Sequence, residues 1–204
     1  MWGGVTMING MNDIIEIVGK QGTGKTLLMT SMATHKYKPQ GYLIGSNMHS
    51  YKFNDFYFAK IDDIKAFEPD RDKKYLFILD EVASYSNLDS RMSMTKGNIN
   101  AIKVLTQLRK KRISLIYTMQ FLGNDKRFRS ITDTIYFLPD AKLYPKYAIN
   151  FDKRLIYYTK GYFQYETGAI VVEQNPKYYK FYEDDIKNYD TYEIIEGEDN
   201  DNEY

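Results

Sequence analysis

Asp13 to Thr26 read DIIEIVGKQGTGKT, and this stretch decides the fold. Its first six residues form a short Ile-rich apolar run, the pattern of a buried strand. The next eight, Gly19 to Thr26, follow the phosphate-loop spacing G-x4-G-K-T in full. Leu27, Leu28, Met29 and Met32 then recur at helical spacing. Strand, glycine-rich loop and helix occur in the order that the motif requires. Glycines let backbone N–H groups turn inward around phosphates, and the helix N-terminus adds partial positive charge. Gly19, Lys20, Gln21, Gly22, Thr23, Gly24, Lys25, Thr26 and Leu27 are the candidate nucleotide-binding residues. Lys25 would reach the β- and γ-phosphates of ATP, and Thr26 would ligate Mg²⁺. A glycine turn that merely starts a helix needs neither residue.

Working outward, residues 75–79 form a continuous apolar run that ends in Asp80 and Glu81. A buried parallel strand reads this way, and it would deliver Asp80 beside a bound metal. Glu81 adds a second carboxylate, placed to act as the base for an attacking water. Residues 113–119 form another apolar strand and lead into Gln120. An amide at the carboxyl edge of a central strand faces the ligand crevice of an open α/β sheet, where it can orient water and sense the γ-phosphate.

The remaining pattern fills in an α/β domain. Further strands are expected at residues 42–44, 56–61 and 134–138, with a short helix over 62–67 capped by Asp62 or Asp63. Residues 84–97 show no period and read as a loop. Ile99, Ile102, Leu105 and Leu108 mark residues 98–112 as an amphipathic helix. It ends in Arg109, Lys110, Lys111 and Arg112, where cations suit the helix dipole. After Pro139 the text changes. Residues 147–151, 155–159 and 169–173 read as a small antiparallel addition, with turns at Asp152–Lys153 and Gly168. The expected organisation is one domain over 1–182, with a core of about 13–138 and a β-rich addition of about 144–182, followed by an acidic tail over 183–204.

Composition agrees with a folded domain: 204 residues, 43% hydrophobic and 27% charged. There is no Cys, which excludes disulfides, cysteine-ligated zinc and thiol catalysis. No run of 18 apolar residues is present, so no transmembrane helix is expected, and residues 1–10 lack the pattern of a signal peptide. The net charge of +1 conceals an asymmetry. Residues 183–204 hold ten acids and one Lys, leaving 27 basic and 17 acidic groups in the rest, a net of +10. A basic body with an acidic end suits contact with a polyanion, although charge runs are also ordinary solvated faces. Between residues 103 and 129 there are eight basic side chains and one acid, Asp125.

Together these features resemble the additional-strand, catalytic-glutamate branch of RecA-like P-loop ATPases. Such a fold implies a mainly parallel central sheet, to which the C-terminal strands would make an antiparallel addition. Thr118-Met119-Gln120 after the basic helix end, with Asp125-Lys126-Arg127-Phe128-Arg129, resembles the FtsK/HerA superfamily. Within it, a compact chain of this kind is similar to the genome-packaging ATPases of tailless icosahedral viruses with an internal membrane, including the turreted icosahedral viruses. The resemblance covers roughly residues 13–138. It implies an ATPase motor that moves double-stranded DNA into a capsid without sequence preference. It also implies a homo-oligomeric ring, contact with capsid or membrane vertex proteins, and a place in the host cytoplasm or at the packaging vertex. In that superfamily an arginine from one subunit completes the site of the next. Arg109 stands at the matching position, with Arg91, Arg112, Arg127 and Arg129 as rivals, and a helix-terminal Arg also has an ordinary structural role. Two other classes compete. A metabolic P-loop kinase would not need Glu81. A P-loop assembly or export ATPase usually carries a membrane span.

Overall fold

The computed structural model describes residues 13–82, 103–104, 106–120, 131–140, 142–147 and 149–190. The loop expected over 84–97, Arg91, Arg127, Arg129, the first turn of the 98–112 helix and residues 191–204 lie outside the described residues.

Six parallel strands form the body of one sheet. β1 (Ile14–Val18) lies between β5 (Ile113–Met119) and β6 (Thr134–Phe137). Beyond β5 come β4 (Lys74–Leu79), β2 (Tyr42–Ser46) and the two-residue β3 (Phe56–Tyr57). β3 is shorter than the expected 56–61. Lys60 already caps helix α2 (Ile61–Ala66), and Asp63 accepts a hydrogen bond from the Lys60 N–H at 3.0 Å. That corrects the expected cap at Asp62 or Asp63: the acid serves from inside the first turn.

The central strands are apolar on both faces because both faces are covered. In β4 the alternation sorts the side chains. Tyr75, Phe77 and Leu79 face a cluster with Val104 and Leu108, while Leu76 and Ile78 face α1 (Lys25–Met32) through Leu28, Met29 and Met32. The described residues 103–104 and 106–110 are helical, in accord with the three-residue period. Gly45 of β2 is required by close approach: a Cβ there would strike the Phe58 and Phe77 rings.

The antiparallel addition is β7 (Leu155–Gln164), which pairs with β6 and carries β8 (Ala169–Val172) and β9 (Lys177–Lys180) on different segments. Two expectations change here. Residues 147–151 are not a strand: Pro145–Tyr147 is a 3₁₀ turn and only Asn150 bridges to Leu155. Pro145 fixes the turn that the aromatic content concealed. The acidic end is also not wholly a solvated tail. Helix α3 (Glu183–Ile186) buries Asp185, which accepts hydrogen bonds from Ser31 Oγ at 2.7 Å and from the Tyr182 N–H at 2.8 Å. His35 Nε2 lies 2.7 Å from the same carboxylate. The chain then continues past the 48–52 loop, where Lys52 N–H donates to the Asn188 carbonyl. Among the described residues no helix is long and apolar enough to cross a membrane.

Candidate functional site

Parallel strands bring their carboxyl ends to one edge, and the order β4-β5-β1-β6 sets out the site along it. β1 delivers the loop Gly19 to Thr26. Gly24 sits at φ 89, a left-handed conformation open to glycine, and a Cβ there would lie 2.5 Å from Ile149 Cδ1. The loop passes directly into α1, whose first residue is Lys25. Lys25 is buried, and its ammonium donates to the Lys20 carbonyl at 3.2 Å. Burial pushes its pKa down, and the nearby Asp80 and Glu81 carboxylates oppose that shift.

Asp80 follows β4 and meets the loop. Thr26 Oγ1 donates to its Oδ2 at 2.8 Å and Thr118 Oγ1 to its Oδ1 at 2.5 Å. Its backbone is clamped as well. Asn47 Oδ1 accepts the Asp80 N–H at 2.8 Å, and Asn47 Nδ2 donates to the Asp80 carbonyl at 2.8 Å. Burial is the main cause that raises the Asp80 pKa. The two threonine hydroxyls pull it back, the Glu81 charge adds to the rise, and Lys25 lowers it. A buried carboxylate with that balance gains from a cation beside it.

Thr26 and Asp80 therefore suit a Mg²⁺ ion. Thr26 gives its proton to Asp80 and keeps its oxygen lone pairs, and both donors are hard oxygens. The described residues contain no cluster of three or more His, Cys, Asp or Glu that could hold a metal. Mg²⁺ at such sites is commonly held by one or two side-chain oxygens together with substrate phosphates and water.

Glu81 has φ 46, a positive value that a non-glycine residue rarely adopts. Two contacts hold it there: its N–H donates to Thr118 Oγ1 at 2.8 Å, and Gln120 Nε2 donates to its Oε1 at 3.0 Å. Thr118 thus spaces both acids, giving its proton to Asp80 and accepting one from the Glu81 backbone. Gln120 is exposed at the end of β5, so it and Glu81 meet at the solvent side of the edge.

Lys25, Thr26, Asp80, Glu81 and Gln120 are brought together as the sequence suggested. Arg109 is not among them. It precedes β5, and its guanidinium bonds the Ile131 carbonyl at 2.9 Å and Asp133 at 2.7 Å. Asp133 in turn accepts the Ile14 N–H at the start of β1. Arg109 therefore sits at the amino edge of the sheet, about 20 Å of strand away from Gln120, and Arg112 lies in the turn on that same edge. Neither reaches the loop of its own subunit. Asn47 was not foreseen. Its signal was its place, directly after the strand that neighbours β4.

No protein-family model matches the chain, and no curated protein sequence is significantly similar to it. Solved structures do align with it. The N-terminal domain of zonular occludens toxin from Neisseria meningitidis matches 88% of this chain and 100% of its own, at TM-score 0.58 and 16% identity. The fold is that of a RecA-like P-loop ATPase. The genome packaging NTPase B204 from Sulfolobus turreted icosahedral virus 2, in complex with AMPPCP, matches 80% of this chain and 97% of its own, at TM-score 0.49 and 16% identity. A DnaB-like replicative helicase matches 79% of this chain and 58% of its own, at TM-score 0.48 and 12% identity. The first likeness is one of fold.

Proposed function

We propose that the chain hydrolyses ATP with Mg²⁺ and uses the energy to move double-stranded DNA, as a ring-forming genome-packaging motor. The observation that carries the hydrolytic reading is Glu81, held at positive φ beside Asp80 and bonded to Gln120. A carboxylate kept in a costly conformation at the site edge suits a base for water. A kinase, whose acceptor supplies its own hydroxyl, has less use for it.

In this reading the backbone N–H groups of Gly19 to Thr26 and the Lys25 ammonium hold the triphosphate. Mg²⁺ between Thr26 and Asp80 would offset charge on the β- and γ-oxygens. Glu81 accepts the proton of the attacking water, and Gln120 fixes the Glu81 carboxylate and the water together. Thr118 keeps the two acids in register, so that one serves the metal and the other the proton. The DNA part rests on the +10 charge of residues 1–182, on the basic stretch 103–129, and on the superfamily resemblance of Thr118-Met119-Gln120. A host-cytoplasmic motor acting at a capsid vertex is the setting this implies.

The test is steady-state phosphate release, with no small acceptor, across protein concentration and with or without double-stranded DNA. The motor reading expects turnover to rise with both, as subunits assemble. Hydrolysis indifferent to DNA and concentration would favour the assembly or export ATPase. Arg109 is proposed to act only on a neighbouring subunit, since its own site is out of reach. Mixing Arg109→Ala with Glu81→Gln should then restore part of the activity, and no recovery in rings that exchange subunits would exclude it.

A further inference from the structure

The two oxygens suited to Mg²⁺ stand on different elements, Thr26 on α1 and Asp80 just after β4. Their spacing depends on what fastens α1 to the end of β4. Asn47 clamps Asp80, and it opens the connection between β2 and β3, residues 47–55. The base of this connection is closed on β2. Met48 N–H donates to Ser46 Oγ at 2.8 Å; Asp55 N–H donates to the Ile44 carbonyl and its carboxylate accepts the Ile44 N–H, both at 2.7 Å. Its middle is fastened from outside. Tyr51 is buried, and its hydroxyl pairs at 2.8 Å with Thr34 Oγ1, just beyond α1. Lys52 N–H donates to the Asn188 carbonyl at 2.9 Å, and Asp190 N–H donates to Ser50 Oγ at 2.9 Å. Tyr189 stands between those two bonds and packs against the apolar cluster that includes Met29, Met48 and Tyr51. Burial raises its phenol pKa to about 12, and the charges of Asp80 and Asp185 add to the rise, so its side chain lies near both acids. Upstream, Asp185 fastens the same segment to Ser31 of α1 and to His35 beyond it.

We infer that residues 185–190 brace the metal site, with Tyr189 as the positioning residue: through the 47–55 connection and Asn47, the segment fixes Asp80 relative to Thr26. The inference rests on the proposal that those two side chains hold Mg²⁺ with a nucleotide. Mg²⁺ demands near-ideal octahedral geometry, so it tolerates little drift between its protein donors. Groups that orient a metal donor from behind it are worth about 10–100-fold in metal affinity. Asn47 is such a group for Asp80, and its own place follows the connection it opens. Pinned at Ser50, Tyr51 and Lys52, that connection holds Asn47 still. One end of the brace sits on α1 through Asp185, and the other sits on the connection. The element of Thr26 and the clamp of Asp80 are thereby tied into one unit. The phosphate loop is held separately, between β1 and α1. Loosening Tyr189 therefore alters the metal's share of nucleotide binding and spares the share of the loop.

The test is equilibrium binding of a non-hydrolysable ATP analogue to the full chain, with Mg²⁺ titrated from none to excess, beside the melting temperature without ligand. The wild type should bind more tightly as Mg²⁺ rises. Tyr189→Ala should need roughly tenfold more Mg²⁺ for half of that gain, while its affinity without Mg²⁺ stays within about twofold of wild type. Tyr189→Phe keeps the packing and should match the wild type. Ser50→Ala removes the acceptor of the Asp190 N–H and should shift the Mg²⁺ requirement in the same direction as Tyr189→Ala. Adding Tyr189→Ala to Asn47→Ala should shift the requirement by less than about twofold further, because both act by one route. An unchanged Mg²⁺ requirement in Tyr189→Ala would overturn the brace. So would a loss of affinity equal with and without Mg²⁺, which is what mere destabilisation gives, or a Tyr189→Phe as impaired as Tyr189→Ala. If Asn47→Ala does not fold, the Tyr189 pair and Ser50→Ala still decide. A wild type whose nucleotide binding ignores Mg²⁺ would overturn the metal-site reading itself, and with it the brace.

Discussion

Replacing Glu81 with Gly and with Ala separates its chemical cost from its chemical use. At φ 46 the residue lies in the left-handed region. A side chain there costs about 1–2 kcal/mol, which glycine avoids. Glycine gives back roughly 0.5–1 kcal/mol through the greater freedom of its unfolded chain. Both variants lose the same exposed hydrogen bond from Gln120, so that loss cancels between them. Glu81→Gly should therefore be more stable than Glu81→Ala by up to about 1.5 kcal/mol. In thermal unfolding without nucleotide, that is a difference of up to about 6 °C for a chain of this size. Phosphate release should fall by roughly 10²–10⁴ in both, since neither has a proton acceptor. If Ala proves clearly more stable than Gly, the residue does not hold the left-handed conformation the structure assigns. If either variant keeps its turnover, Glu81 is not the base.

Asn47→Ala leaves the buried N–H and C=O of Asp80 without partners, and urea unfolding should show a loss of about 2–6 kcal/mol at roughly 1–3 per group. Asp80→Asn should raise the melting temperature at neutral pH while removing Mg²⁺-dependent ATP binding. Burial raises the folded pKa of Asp80 above its ordinary 3.8, so stability from the protonated form is present below that value and lost as pH rises through the folded pKa; the advantage of Asn should vanish on acidification toward about pH 4. Binding to double-stranded DNA should weaken steeply and linearly with log salt, read by fluorescence anisotropy, and show almost no sequence preference. Deleting residues 183–204 should leave DNA affinity unchanged or tighter, but should lower the melting temperature, because Ser31 and His35 lose the Asp185 carboxylate.

Legibility in the sequence followed the length of the signal. Strand, glycine loop and helix were readable because Gly19 to Thr26 carries its constraint in consecutive residues. β4 and β5 were readable because strands covered on both faces are nearly continuous apolar runs. Asp80, Glu81 and Gln120 stand at the ends of those runs, so their positions came with the strands. The contacts that hold them did not. Asn47 reaches Asp80 across 33 positions and Thr118 reaches it across 38, and no local pattern marks such pairs. β9 and α3 were missed for another reason. Lys177–Lys180 is only four residues with lysines at both ends, and the acids of Glu183–Ile186 look solvated until Asp185 is seen against Ser31. Arg109 shows the limit of motif spacing. Its guanidinium is tied to Ile131 and Asp133, and a whole strand lies between it and Gln120.

The most direct measurement is Mg²⁺-dependent ATP binding and phosphate release by the wild type and Glu81→Gln, prepared side by side. Hydrolysis through Glu81 predicts that both bind ATP with similar affinity, that the wild type releases phosphate, and that Glu81→Gln releases it at least about a hundredfold more slowly. Equal release by the two proteins, or no release by the wild type under any DNA condition, would contradict it.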